Sequence, residues 1–231
     1  MYPHRIRLRG PWDCEPLTGA AGPLRMNLPC RWAEGGLGDF AGRVRFRRRF
    51  GYPGRIDDYE RVWLTCDALE GSAAVALNGH FLTETRGPAG FEFEVTALLQ
   101  PRNELVVEME GPATGGLWGE VALEVRRTAF LRGLRVSAEG DRLLVRGEVV
   151  GSAERPLELY AVLDRSTAAY SLAEAAPEGR AFTLASEELP PERRGPGPHP
   201  VRIDLVDGAT VWYAAEQWVE FSTPPESAEG G

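Results

Sequence analysis

Apolar and polar positions alternate with a period of two through much of the first half of the chain. Val44, Phe46 and Phe50 alternate with Arg43, Arg45, Arg47 and Arg49. Residues 61–66 (RVWLTC) and 73–77 follow, then Asn78 and Gly79, then residues 81–83. Asn-Gly between two apolar runs predicts a tight hairpin, because both residues tolerate positive φ. Phe91, Phe93 and Val95 alternate with Glu92 and Glu94; Leu105, Val107 and Met109 with Val106, Glu108 and Glu110; Val121, Leu123 and Val125 with Ala122, Glu124 and Arg126. A period of two over so many segments predicts antiparallel sheets with one dry face, that is, a β-sandwich.

After residue 127 the rhythm restarts, with strand-like runs at 133–137, 142–149, 157–162, 182–185, 201–205 and 211–221. Short strands at this spacing fit an immunoglobulin-like sandwich. Residues 166–176 (STAAYSLAEAA) allow either a helical turn or an extended segment, and residues 189–200, with five prolines, predict a stiff loop. The expected organisation is all-β: one sandwich over 1–126, a second over 127–222 and a disordered tail over 223–231.

Composition narrows the function. Of 231 residues, 43% are hydrophobic, enough for a substantial core without covalent staples. With 26 basic residues, all arginine, against 34 acidic ones, the net charge of −8 argues against a phosphate-backbone binder, so no nucleic-acid partner is expected. No run approaches the roughly 20 apolar residues of a membrane span, so no membrane partner is expected either. The N-terminus lacks an apolar stretch of signal-peptide type, which makes the cytoplasm the expected address. Cys14, Cys30 and Cys66 have no metal-ribbon spacing; three reduced thiols are expected, with a Cys14–Cys30 bridge as the open alternative. His4, His80 and His199 are too scattered for a metal motif, and no cofactor is expected. Residues 36–41 (GLGDFA) fit a loose phosphate-loop pattern, but no strand leads into them and no helix follows, so they read as a loop. No serine sits in a G-x-S-x-G elbow. Glu92 and Glu94, two apart on one wet face, read as surface rather than as an acid/base pair.

Three linked stretches carry a resemblance. Residues 62–82 (VWLTCDALEGSAAVALNGHFL), 91–109 (FEFEVTALLQPRNELVVEM) and 115–124 (GGLWGEVALE), with VRFRRRF upstream at 44–50, resemble the N-terminal sugar-binding domain of family-two glycoside hydrolases, the group of β-galactosidases, β-glucuronidases and β-mannosidases. The later half looks like the immunoglobulin-like domain that follows in those enzymes. The resemblance implies a galactose-binding-like jelly roll followed by an immunoglobulin-like sandwich. It also implies that the catalytic glutamates lie on a later (β/α)₈ barrel of about 250 residues. Retaining hydrolysis needs two carboxylates about 5–5.5 Å apart, and no segment here resembles those that supply them. The expected function is therefore non-catalytic carbohydrate recognition. The alternative is an interaction scaffold for a separately encoded catalytic partner, or for self-association.

Sugar sites stack pyranose faces on aromatic rings beside planar polar groups. That nominates Trp32, in a glycine-rich loop, and Trp118, in GGLWGEV, as ligand-binding candidates. The resemblance adds Glu120, whose counterpart reaches toward the barrel's active site. Phe40, His80 and Arg86 are further loop candidates. Trp12, Trp63, Trp212 and Trp218 lie in or beside strand patterns and are expected in the core. The ladder of Arg43, Arg45, Arg47 and Arg49 could hold an acidic glycan, but is expected to be a solvated face paired across strands with acids such as Glu92, Glu94, Glu108 or Glu110.

Overall fold

The computed structural model describes residues 3–221, which form two compact units, one of them His4–Val125. The disordered tail expected over 223–231 lies outside the described residues. The first unit contains β1 (His4–Arg7), β2 (Trp12–Pro16), β3 (Leu24–Met26), β4 (Cys30–Arg31), β5 (Gly42–Gly51), β6 (Glu60–Cys66), β7 (Ser72–Leu77), β8 (His80–Arg86), β9 (Phe91–Glu94), β10 (Arg102–Gly111), β11 (Gly116–Leu117) and most of β12 (Val121–Arg127). A six-stranded sheet has the order β3-β2-β5-β10-β7-β8, a four-stranded sheet the order β1-β12-β6-β9, and β11 pairs with β4 alone. The alternation read from sequence supplies the core. Val44, Phe46, Val75, Leu77, Leu105, Val107 and Met109 point inward from the larger sheet; Val62, Leu64, Val121 and Leu123 do so from the smaller. Together they make an all-β sandwich, as the alternation predicts.

The arginine ladder is a paired face, with partners set by register. Arg49 lies opposite Glu104 and Arg45 opposite Glu108 on β10, while Glu15 on β2 faces Arg45 from the other side. Ion pairs join Arg45 to Glu108 at 2.7 Å, Arg43 to Glu108 at 3.4 Å, Arg49 to Glu104 at 3.1 Å and Arg45 to Glu15 at 3.3 Å. Glu15 and Glu104 thus join Glu108, whereas Glu92 and Glu94 sit on the other sheet. Such exposed pairs contribute about 0–1 kcal/mol each.

The hairpin between β7 and β8 turns at Asn78 (φ 52°) and Gly79 (φ 80°), as the Asn-Gly pair predicts. The Asn78 amide does more than turn the chain. Its Nδ2 donates to the Leu98 carbonyl at 2.8 Å and to Asn103 Oδ1 at 2.9 Å, and its Oδ1 accepts from the Glu104 amide at 2.8 Å. Asn103, buried, exchanges hydrogen bonds with the Gln100 backbone at 2.7 and 2.8 Å.

The second unit runs from Arg126 onward and holds β13 (Ala129–Glu139), β14 (Arg142–Gly151), β15 (Leu157–Leu163), β16 (Ser166–Ala173), β17 (Arg180–Ala185), β18 (Pro198–Asp207) and β19 (Thr210–Glu220). Sheets of order β13-β14-β17 and β16-β15-β18-β19 enclose Leu143, Val145, Leu159, Ile203, Leu205 and their neighbours. The stretch left open between helix and strand is β16, pulled into the sheet by its pairing with β15. The proline-rich loop contains a short helical turn, Pro191–Arg193, and yields to β18 at Pro198. Trp218 corrects its core assignment. Val219 is the inward residue of that alternation, so Trp218 points outward and is 60% exposed.

His199 ties this loop to the β15–β16 turn. One ring nitrogen lies 2.9 Å from Asp164 Oδ2, the other 2.9 Å from the Gly195 carbonyl oxygen. Both partners are acceptors, so the ring suits its doubly protonated form. The Gly195 carbonyl and then the Asp164 carboxylate raise its pKa above the ordinary 6.5. A raised folded-state value means the stabilisation is fully present below pH 6.5 and lost as pH climbs through the folded value. We expect the parent protein to lose stability over that interval and His199→Gln not to. Melting temperatures of both proteins across the interval check this.

Candidate functional site

The two-stranded β4–β11 ladder assembles the site. Arg31 lies opposite Gly116 and Cys30 opposite Leu117, which brings the loop around residue 31 against the GGLWGEV segment. Glu70 joins through its backbone, its amide donating to the Gly116 carbonyl at 3.1 Å. Gly119 then passes over Ala68 and donates to its carbonyl at 2.8 Å. The approach is so close that a methyl at 119 would overlap the Ala68 backbone, which is why glycine is required there.

Trp118 emerges from this crossing 40% exposed, with the Arg31 guanidinium carbon 5.5 Å from its ring centroid. That geometry is a cation–π contact. Arg31 Nη1 also donates to Glu70 Oε2 at 2.8 Å and to the Thr114 carbonyl at 2.9 Å, and the Thr114 hydroxyl donates to Glu70 Oε1 at 2.7 Å. The Thr114 hydroxyl and Arg31 hold the Glu70 carboxyl below its usual range, so it is a fixed anion at neutral pH. An aromatic ring is thereby framed by a guanidinium, a carboxylate and a hydroxyl.

Glu120 sits in a neighbouring ion network. Its two oxygens lie 2.9 Å from Arg5 Nε and 2.9 Å from Arg7 Nε, and its side chain is 20% exposed. Arg5 also reaches both oxygens of Asp67, at 2.8 and 2.9 Å, and Glu124 at 3.0 Å. A carboxylate with both oxygens held by arginines suits charge anchoring rather than proton transfer.

The six nominated residues fall into separate places. Trp118 and Glu120 are brought together by Gly119. Trp32 is fully buried, edge-to-face with Phe40 at a centroid separation of 5.4 Å, so it belongs to the core beneath the site rather than to its surface. His80 and Arg86 are exposed at opposite ends of β8, about 20 Å apart. Arg86 pairs with Ser72, close in chain to Glu70, while His80 lies beyond Asn78 at the other end. Arg31 sits on a two-residue strand, which shows no periodicity, while Thr114, Arg5 and Arg7 meet partners far away in the chain, so none of the four was legible. The three cysteines are free, which removes the Cys14–Cys30 bridge; burial pushes the Cys14 and Cys66 thiols up to about 12, far from nucleophile range. Among the described residues no helix is long and apolar enough to cross a membrane.

No protein-family model matches this chain, and no curated protein matches it. Solved structures do match in fold. A proposed β-galactosidase from Bacteroides fragilis superposes with a TM-score of 0.77 at 14% identity, over 95% of this chain and 41% of the other. A β-glucuronidase from Bifidobacterium dentium, solved with coumarin-3-O-glucuronide, gives 0.72 at 18% identity, over 95% and 48%. An FMN-binding β-glucuronidase from Facaelibacterium prausnitzii gives 0.71 at 16%, over 95% and 39%. These neighbours are family-two glycoside hydrolases, the group whose resemblance residues 44–124 carry, and the chain spans less than half of their length. At such identities the likeness is one of fold. The described residues form two β-sandwich units and include no helix-wrapped parallel barrel.

Proposed function

We propose that this chain is a non-catalytic carbohydrate-recognition portion of a family-two glycosidase architecture, its two sandwiches acting as domains over 1–126 and 127–222. Trp118 carries the reading. It offers an exposed ring for a pyranose face, with Arg31, Glu70 and Thr114 placed around it to meet hydroxyl groups. The cytoplasmic address belongs to the same proposal and is supported by three free thiols.

Titration calorimetry against neutral and acidic mono- and oligosaccharides tests the binding. We expect saturable binding to at least one of them, weakened about tenfold or more by Trp118→Ala, whose partly exposed ring leaves the fold unaffected. Binding to none, or binding indifferent to Trp118, would sink the reading. Turnover of aryl glycosides by the pure protein would overturn its non-catalytic part.

A second reading, docking onto a catalytic barrel, is favoured by one observation. Glu120 is already ion-paired to Arg5 and Arg7, so the Trp118 edge offers an apolar centre within a paired polar rim, as protein interfaces do. Loss of association with a co-expressed barrel on Trp118→Ala, without any sugar binding, would select it.

A further inference from the structure

The end of the first unit remote from Trp118 carries an open cleft of about 850 Å³, lined by Arg49, Phe50, Gly51, Asn78, Gln100 and Arg102 among others. The ten residues of β10 separate the two places. Arg102 begins the strand at the cleft, and Gly111 ends it against Trp32 and Glu70, about 30 Å away. The volume lies within the range of small-molecule sites.

Register explains why space exists there. Arg102 stands opposite Gly51, whose missing side chain leaves the surface open; a methyl at 51 would meet nothing within 4 Å. The floor is rigid, because the Asn78–Asn103 amide network and its bonds to the Gln100 and Glu104 backbones fix the surrounding turns. A site so braced needs little ordering on binding.

The lining chemistry selects a ligand. Arg49 uses its Nε on Glu104, at 3.1 Å. Arg102, exposed, has no ion-pair partner among the described residues, in a chain with eight more acidic than basic side chains. A planar guanidinium of this kind takes a carboxylate through two parallel hydrogen bonds. The exposed Gln100 amide can both donate to and accept from hydroxyls. Glu104 on the same wall repels polyanions, which disfavours a nucleic acid or a multiply charged phosphate ester. We propose that this cleft binds a carboxylate-bearing sugar of the hexuronate type, with Arg102 as its anion anchor. The proposal does not depend on Trp118.

Amide chemical-shift titration of the full chain with glucuronate, glucose and inorganic phosphate tests it. The expected result is saturable shifts at Gly51, Gln100 and Arg102 with glucuronate and not with glucose. Arg102→Gln then weakens binding about tenfold or more, the effect of losing charge-assisted hydrogen bonds. Gly51→Phe, which fills the cleft, abolishes it, with melting temperature unchanged in both variants. Trp118→Ala leaves glucuronate binding intact, so failure here and failure of the Trp118 site are read from different variants. Equal response to glucose, an equal response to phosphate, no response at all, or shifts that survive both Arg102→Gln and Gly51→Phe each overturn the assignment.

Discussion

Trp32→Ala lowers the stability of the His4–Val125 unit by about 3–5 kcal/mol, the range for emptying a buried aromatic site. The side chain is wholly enclosed, with Phe40 edge-on and the backbones of Gly111 and Gly115 near its ring. Glycine backbones cannot swing in to fill the void, so little of the cavity closes. Trp32→Phe costs much less. It keeps most of the apolar volume, and the indole Nε1–H it removes has no acceptor among the described residues, so no hydrogen bond to them is lost with it. Chemical denaturation of the three proteins gives both differences. A loss below about 1 kcal/mol for alanine would show that the ring is not a core anchor.

Gly119→Ala has an effect of similar size by the opposite route. A Cβ at 119 would overlap the Ala68 amide nitrogen and lie 2.7 Å from its Cα and carbonyl oxygen. Backbone atoms in a buried loop cannot yield as a flexible side chain does. The segment must lift, breaking the Gly119–Ala68 hydrogen bond and the 3.1 Å bond between the Asp67 amide and the Glu120 carbonyl. We expect a loss of about 3 kcal/mol or more, together with a changed Trp118 environment in fluorescence. Gly22→Ala serves as the control: a methyl there meets nothing within 4 Å, and the change stays below about 0.5 kcal/mol. Equal behaviour of the two variants would refute the close-approach argument.

The contrast between these two positions shows what the sequence made legible. Long strands with one dry face announce themselves by alternation, and β5, β10 and β12 lie where the pattern puts them, whereas β16 is fixed by its pairing with β15. The cross-strand role of the arginine ladder was also readable, as was its partner Glu108, but register alone decides that Glu104 and Glu15 face it as well. Trp32 looked like a surface ring because its loop is rich in glycine, yet the glycines that make room for it, Gly111 and Gly115, come some 80 residues later. The same distance hides Arg31. Its partners Glu70 and Thr114 lie 39 and 83 residues away, joined through strands of two residues. Trp218 was misplaced by a single step of parity, the smallest error a period of two allows.

One property of the ladder reaches beyond folding. Its cations are guanidinium groups throughout, and the chain has no lysine. Reagents that acylate primary amines therefore find no target on this sheet, and alkaline conditions that would discharge a lysine surface leave it fully charged.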